Sequence, residues 1–230
     1  MIIAGADGCK DGWICLTRDP RTGEVTGRVY RDGQELILQA PRPAVLAIDI
    51  PIGLPDTGPR DCDLEARKIL GARRSSVFPA PLRPVLSART WEEACAMREA
   101  IEGKRVSKQL AAILPKIREI DGLLCGDTGD ARGFVREVHP EVSFLAWSGK
   151  PLQYSKKKSL GRIERLQLIE AYFGSQDINR LRGGHDVAVD DVLDAFAALW
   201  TAGRISRGEA STLPTSPLRD SQDLPMEIVY

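Results

Sequence analysis

The chain has no apolar run that approaches the roughly 20 residues needed to span a bilayer, so we expect no transmembrane helix. Its first residues, Met1–Asp7, contain neither a basic region nor a cleavage site and do not resemble a signal peptide. The five cysteines form no Cys-x-x-Cys pair, which gives no zinc signature and fits a reducing compartment. These absences predict a cytoplasmic protein that has no membrane partner.

The formal net charge is zero, because 32 basic residues balance 32 acidic ones in a chain of 230 residues. A general electrostatic affinity for nucleic acid is therefore not expected, although a local basic patch can supply it. The sequence shows no internal repeat and no low-complexity block. Its length and composition predict one large domain over residues 1–230.

The first thirty residues show patterns that are typical of β-strands. Met1–Cys9, Trp13–Arg18 and Glu24–Tyr30 are separated by short turns and predict a three-stranded antiparallel meander. A short helix, Gln34–Ala40, follows. The apolar run Ala44–Ile50 then predicts a strand that is covered on both faces.

Helical patterns dominate the remainder of the chain. We predict a mostly helical insertion at about residues 56–129, in which Pro115 kinks or divides the last helix and Ser75–Pro84 is loop. A fifth strand, Phe134–His139, follows the turn-rich linker Gly126–Gly133, and amphipathic helices complete the chain. The predicted fold class is therefore α/β, with a mixed sheet of a meander plus parallel strands, flanked by helices.

Two carboxylates interrupt apolar strands, where desolvation is costly unless the charge is paired or metal-bound. Asp7 follows Ile2–Ala6 between glycines, and a plain Asp-Gly turn is the alternative to a functional role. Asp49 lies between two isoleucines, where no local structure requires an acid. Both ends can meet at one edge of a sheet, which predicts a site for hard divalent cations.

Further acids follow later in the chain. Asp191 and Asp194 have i, i+3 spacing and share one face of a helix. Helix capping and a favourable helix dipole are the alternative for Asp191, but they do not explain Asp194 in a buried segment. Glu137 ends the fifth strand and can add a ligand or position a water molecule, or else form a salt bridge.

Two basic segments suit an anionic substrate. The first is Arg73–Ser76, in which Arg73 and Arg74 precede the hydroxyls of Ser75 and Ser76. The second contains Lys156 and Lys157. Guanidinium groups, hydroxyls and ammonium groups all bind phosphate, so we predict that both segments bind substrate; a solvated surface is the alternative.

Five motifs together resemble domain-of-unknown-function family 429, which is described as predicted nucleases of ribonuclease H-like fold. The predicted order of strands, a meander followed by crossover connections, has the layout of that fold. The motifs are Gly5-Ala6-Asp7-Gly8-Cys9 with Gly12-Trp13, Ile48-Asp49-Ile50-Pro51-Ile52-Gly53-Leu54-Pro55, Arg73-Arg74-Ser75-Ser76-Val77-Phe78, Glu137-Val138-His139-Pro140-Glu141 and Asp190-Asp191-Val192-Leu193-Asp194-Ala195.

The resemblance implies a metal-dependent nuclease. In the wider superfamily, acids lie at the ends of strands 1 and 4 and on the last helix, which correspond here to Asp7, Asp49 and the pair Asp191 and Asp194. They would hold two Mg²⁺ or Mn²⁺ ions, and the substrate would be nucleic acid or a nucleotide. No convincing acid lies on the first helix, since Glu35 sits in a short segment that ends at proline; this departure argues against cleavage of RNA–DNA hybrids.

Two other functions remain open. A nucleotide-dependent phosphotransferase of the related sugar kinase and actin fold also uses an Asp on its first strand, but the sequence has no second copy of the fold and no Gly-rich adenosine motif. A non-catalytic nucleic-acid-binding module is the other alternative, and the intact set of carboxylates argues against it. The sequence does not distinguish DNA, RNA and small nucleotides.

Overall fold

The computed structural model describes residues 1–126 and 130–230, which form two compact units. The first unit consists of Met1–Ile50, Asp130–Ser211 and Val229–Tyr230. The second unit consists of Thr212–Ile228 together with the described part of residues 51–129. No described helix combines the length and the apolar character that a membrane crossing needs.

A five-stranded mixed sheet forms the centre of the first unit, with strand order β3-β2-β1-β4-β5. Strands β1 to β3 pair antiparallel in chain order, whereas β1 with β4 and β4 with β5 are parallel. The strands are β1 (Ile3–Cys9), β2 (Gly12–Arg18), β3 (Val25–Tyr30), β4 (Val45–Ile48) and β5 (Val135–Glu137). The predicted meander is therefore confirmed, and so is the adjacency of the first and fourth strands.

Six helices belong to the first unit among the described residues. They are α1 (Gly33–Ile37), α5 (Ala131–Phe134), α6 (Pro140–Ser148), α7 (Ser159–Phe173), α8 (Ile178–Leu181) and α9 (Val189–Ser206). The mixed α/β class with a five-stranded mixed sheet flanked by helices is thus confirmed.

Helix α9 packs against the face of the sheet that carries Ile3 and Cys9, and it is buried from Val192 to Gly203. Gly5 makes this contact close: a Cβ atom at Gly5 would lie 2.0 Å from the backbone nitrogen of Leu199 and 2.6 Å from the carbonyl oxygen of Ala195. Only a residue without a side chain fits between β1 and the helix.

The second unit is mainly helical and contains ion pairs that are buried or partly buried. Arg60 binds Asp63 at 2.6 Å, and Arg83 binds Asp121 at 3.0 Å and also Asp220. Its helices are α2 (Asp61–Leu70), α3 (Trp91–Glu102), α4 (Lys108–Cys125) and two 3₁₀ helices, Gly71–Ser76 and Arg83–Ser87. Two short strands, β6 (Thr212–Leu213) and β7 (Ile228–Val229), pair with each other near the end of the chain.

Several predicted boundaries are wrong. Pro115 lies inside one continuous helix, α4, which runs on to Cys125. The fifth strand is shorter than Phe134–His139 because α6 begins at Pro140, where the fixed φ of proline suits the first turn of a helix. Both ends of the predicted loop Ser75–Pro84 belong to 3₁₀ helices.

The domain assignment stays a prediction. The sequence suggested one domain with an insertion at about 56–129, whereas the second compact unit also includes Thr212–Ile228. Within the predicted linker Gly126–Gly133, residues 127–129 lie outside the described part of the chain.

We predict that Gly5→Ala destabilises the protein by about 3 kcal/mol, because the added methyl group must push α9 away from β1. Thermal or denaturant unfolding followed by circular dichroism measures the change. Gly122→Ala is the matched control, since no described atom lies within 4 Å of a Cβ atom at this helical position. Equal stability of both variants would contradict the close contact.

Candidate carboxylate site

Asp7 lies near the carboxyl end of β1, two residues after Gly5. Side chains alternate along a strand, so Asp7 shares the α9 face with Ile3, Gly5 and Cys9. The backbone N–H of Gly8 donates a hydrogen bond to Asp7 Oδ1 at 2.7 Å. The side chain is nearly buried, with 8% of the residue exposed.

Asp49 immediately follows β4 and continues its pairing with β1, because its backbone N–H donates to the carbonyl oxygen of Ala6 at 3.0 Å. Val45 and Ala47 belong to the apolar cluster under α9, so alternation also turns Asp49 toward that face. Parallel pairing thus brings two carboxylates from neighbouring strands to one edge of the sheet.

Asp191 and Asp194 come from the beginning of α9, one turn apart. Asp194 is buried, with 1% of the residue exposed, whereas Asp191 is half-buried. The residue before the helix is Ala188, and no side chain caps the helix there. Asp191 lies in the first turn, where the helix dipole favours an acid, but this interaction does not require the buried carboxylate of Asp194.

Asp7, Asp49 and Asp194 converge on one point. Each offers a carboxylate oxygen, and these oxygens all lie within 4.8 Å of one another. The donor set consists of oxygen atoms alone, which suits hard cations such as Mg²⁺, Mn²⁺ or Ca²⁺ rather than soft metals. Three of the four predicted metal ligands are therefore brought together, and this cluster could hold a metal ion; Asp191 does not belong to the group of three.

Burial, together with the charges of neighbouring acids, raises the pKa values of these carboxylates. Burial and the charges of Asp49 and Asp194 raise the pKa of Asp7 well above its usual range. Burial and the charge of Asp194 raise the pKa of Asp49 to about 7 and that of Asp191 to about 6, and burial also raises the pKa of Asp194. The cluster is thus short of positive charge, which a cation would supply.

Lys156 is the cation closest to the cluster among the described side chains. Its Nζ atom donates to Asp194 Oδ2 in an ion pair, and 35% of the lysine side chain is exposed. Burial by itself lowers the pKa of Lys156, but the charges of Asp194, Asp7 and Asp49 outweigh it and raise the pKa above its usual value. The sequence predicted Lys156 to bind phosphate and missed its contact with the acids.

A second ion pair lies beside the cluster, and a salt bridge to an arginine was one of the two roles that the sequence left open for Glu141. Glu141 in the first turn of α6 binds Arg165 of α7, and both are buried. The charge of Glu141 contributes to raising the pKa of Asp49 and of Asp194, so it lies close to both. Pro140 followed by Glu141 is the local signal for a helix start that could have placed this carboxylate.

Glu137 lies elsewhere. The register pairs Glu137 with Ile48 and Ile48 with Ala6, so all three occupy one row across the sheet. Asp7 comes one residue after Ala6, and Asp49 comes one residue after Ile48. Because side chains alternate along a strand, both acids point to the face of the sheet opposite to Glu137. The register does not support the predicted catalytic role of Glu137, which is buried on the other face of the sheet.

The other predicted substrate residues are exposed or lie in the second unit. Lys157 is exposed and next to Lys156. The segment with Arg73, Arg74 and Ser75 forms a 3₁₀ helix of the second unit, in which the hydroxyl of Ser76 donates to the carbonyl oxygen of Arg73 at 2.8 Å. That Arg73, Arg74, Ser75, Ser76 and Lys157 bind substrate stays a prediction.

Comparison with known proteins identifies a family but no activity. A family model described as "Protein of unknown function (DUF429)" matches residues 5–219. No curated protein and no solved structure gives a significant match. Since the matched region covers nearly the whole chain, the protein belongs to the DUF429 family.

We predict that, without a bound metal, the acids of the cluster lower the stability of the folded protein as the pH rises from about 4 to about 7. An aspartate in the unfolded chain has a pKa near 4, whereas Asp49 and Asp191 have pKa values of about 7 and about 6 when folded. The folded state therefore binds more protons in this window, and its advantage is lost as those groups ionise.

Urea unfolding at a series of pH values, with chelator present, measures this dependence. The free energy of unfolding should fall by on the order of 2 kcal/mol across the window for one such carboxyl group. Asp49→Asn should flatten the profile because it removes one titrating group, whereas the exposed Asp11→Asn should leave it unchanged. A wild-type profile that Asp49→Asn leaves unchanged would contradict the carboxylate cluster.

Proposed function

We propose that this member of the DUF429 family is a divalent-metal-dependent nuclease that hydrolyses phosphodiester bonds in the cytoplasm. The observation that supports the proposal is the convergence of Asp7, Asp49 and Asp194, whose oxygens lie within 4.8 Å of one another. A cytoplasmic location is favoured by the cysteines, since no disulfide joins them in the described structure.

The charges of the site fit divalent cations. Asp7, Asp49, Asp191 and Asp194 bring four carboxylates together, and Lys156 supplies one ammonium group. Glu141 adds no further net charge because it is paired with Arg165. Ionising all four aspartates therefore leaves an excess of negative charge in a poorly solvated place, and one or two Mg²⁺ or Mn²⁺ ions would offset it.

In this proposal Asp7, Asp49 and Asp194 hold the metal, and Asp191 completes the ligand set from one turn earlier on α9. When bound, such ions activate a water molecule and stabilise the leaving oxygen of a phosphodiester. The chain itself positions the ligands rigidly, since Asp7 and Asp49 lie on paired strands and Asp194 lies on a buried helix. The raised pKa values imply that the acids release protons as a cation binds.

The topology supports a ribonuclease H-like fold. An antiparallel meander is extended by parallel strands. One acid lies near the carboxyl end of the first strand, another directly follows the fourth, and the last long helix of the first unit carries two more. The related sugar kinase and actin fold requires a second copy of such a sheet, and the described residues contain one five-stranded sheet. The cluster of acids favours catalysis over a binding module that only retains the fold.

We predict that the purified protein hydrolyses single-stranded, duplex or branched nucleic acid when Mn²⁺ or Mg²⁺ is added. Asp7→Asn should reduce the rate by more than about a hundredfold, because it removes a ligand that no neighbour replaces. Asp11→Asn, an exposed change on the same hairpin, should retain the rate. Gel or fluorescence assays on a panel of labelled substrates measure both.

Activity that survives Asp7→Asn would reject the assignment. Failure to cleave any substrate, together with calorimetric binding of ATP, would favour the phosphotransferase. Binding of nucleic acid that neither needs metal nor leads to cleavage would favour the non-catalytic module.

We also predict that the double variant Arg73→Ala with Arg74→Ala weakens substrate binding and flattens its salt dependence, since two phosphate contacts are lost. Metal binding should stay unchanged. Fluorescence anisotropy at several salt concentrations measures the binding, and circular dichroism tests the fold. Unchanged affinity would show that this 3₁₀ helix does not contact the substrate.

A further inference from the structure

The carboxylate cluster already contains a cation that the chain supplies. Lys156 places its ammonium group on Asp194, the acid that α9 contributes to the possible metal site. Asp194 is almost completely buried, with 2% of its side chain exposed, whereas the lysine side chain keeps 35% of its surface exposed. One partner of this ion pair is therefore fixed in the core, and the other has a path to solvent.

Hydrogen bonds hold the backbone around Lys156, and its side chain extends from there to Asp194. The N–H of Tyr154 donates to Glu164 at 2.9 Å, and the N–H of Lys158 donates to the carbonyl oxygen of Ser155 at 2.9 Å. Gly161 allows α7 to approach this segment, because a Cβ atom there would lie 2.1 Å from the same Ser155 oxygen. The fold thus holds the backbone of Lys156 in a position from which its side chain reaches the acids.

We propose that Lys156 is an exchangeable internal counter-ion, which neutralises Asp194 in the metal-free protein and is displaced when a divalent cation binds the carboxylates. The inference rests on the proposed metal-dependent function, and it concerns which cation, the ammonium group of Lys156 or a divalent metal ion, neutralises the carboxylates. Asp194 is one of the three acids of the possible metal site, and its carboxylate already binds the ammonium group of Lys156. We therefore expect a metal ion and the ammonium group to compete for this carboxylate.

The chemistry of the side chain suits exchange. Lysine carries a compact charge on a flexible four-carbon stem and makes no fixed planar contact. The neighbouring pair offers a contrast, because the guanidinium group of Arg165 binds Glu141, the carbonyl oxygen of Gly161 at 2.8 Å and that of Tyr154 at 3.2 Å, and is fully buried. Arg165 is a permanent structural partner, whereas the ammonium group of Lys156 forms one ion pair among the described residues and keeps access to water.

Displacement has a consequence for substrate binding. Once a metal occupies the acids, the ammonium group of Lys156 loses its partner but remains anchored beside the site. A phosphate group that approaches the metal then meets a free cation. The metal-free protein would keep the same lysine engaged, so metal binding and phosphate binding should support each other.

The first test measures Mn²⁺ affinity by electron paramagnetic resonance or calorimetry, without substrate and without turnover. Lys156→Met should bind Mn²⁺ about tenfold more tightly than the wild-type protein, which corresponds to about 1.4 kcal/mol, because no ammonium group competes for Asp194. Lys158→Met is the control, because Lys158 lies two residues after Lys156 and its side chain is exposed. This variant loses the same charge and should keep an affinity within about twofold of wild type. Circular dichroism verifies that the variants fold.

The second test needs no variant. Acetylation of the wild-type protein with an amine-reactive ester, followed by mass spectrometry, compares the labelling rates of Lys156 and Lys158. In chelator, Lys156 should react more slowly than Lys158, and saturating Mg²⁺ should increase its rate while that of Lys158 stays constant. A Lys156 rate that is the same with and without Mg²⁺ would overturn the exchange.

The outcomes separate this inference from the proposed function. Equal or weaker Mn²⁺ binding by Lys156→Met, with clear binding by the wild-type protein, overturns the exchange and leaves the metal-dependent nuclease standing. Absence of Mn²⁺ binding in the wild-type protein and in both variants overturns the inference and the proposed function together. Tighter binding by Lys156→Met, with labelling of Lys156 that depends on Mg²⁺, supports the exchange.

Discussion

The close contact between α9 and β1 at Gly5 determines where the carboxylates meet. A side chain at this position would collide with the backbone of Ala195 and Leu199. Asp194 directly precedes Ala195, and Asp7 follows Gly5 by two residues on the same face of the strand. The packing of a helix on a glycine therefore sets the distance between two acids, and the parallel pairing of β4 with β1 adds Asp49 at the same edge.

This arrangement costs electrostatic free energy. Burying several carboxylates together is unfavourable unless they are protonated, paired or bound to a cation. The raised pKa values of the acids and the ion pair of Lys156 with Asp194 are two responses to this cost within the metal-free chain. A divalent cation is the third response, and it is the one that leads to chemistry.

Local signals in the sequence predicted much of the fold. Asp32 accepts a hydrogen bond from the N–H of Glu35 at 2.7 Å, and Thr90 with Glu93 forms a complete capping box, so both helix starts were predictable from residue type. The continuous apolar runs of β1 and β4 also identified covered strands. Helix α6 was not predicted, because it begins at Pro140 and a proline is equally typical of the end of a strand. Contacts with residues far along the chain decide between these two structures.

The sequence by itself determined that acids lie at the ends of apolar segments. Asp7 and Asp49 follow apolar strands, and further acids begin an apolar helix. Only the tertiary structure decided which of them meet. Side chains alternate along a strand, so one residue of register puts Glu137 on the opposite face. The position of Lys156 depends on how α7 and α9 pack, and this packing involves residues far apart in the sequence.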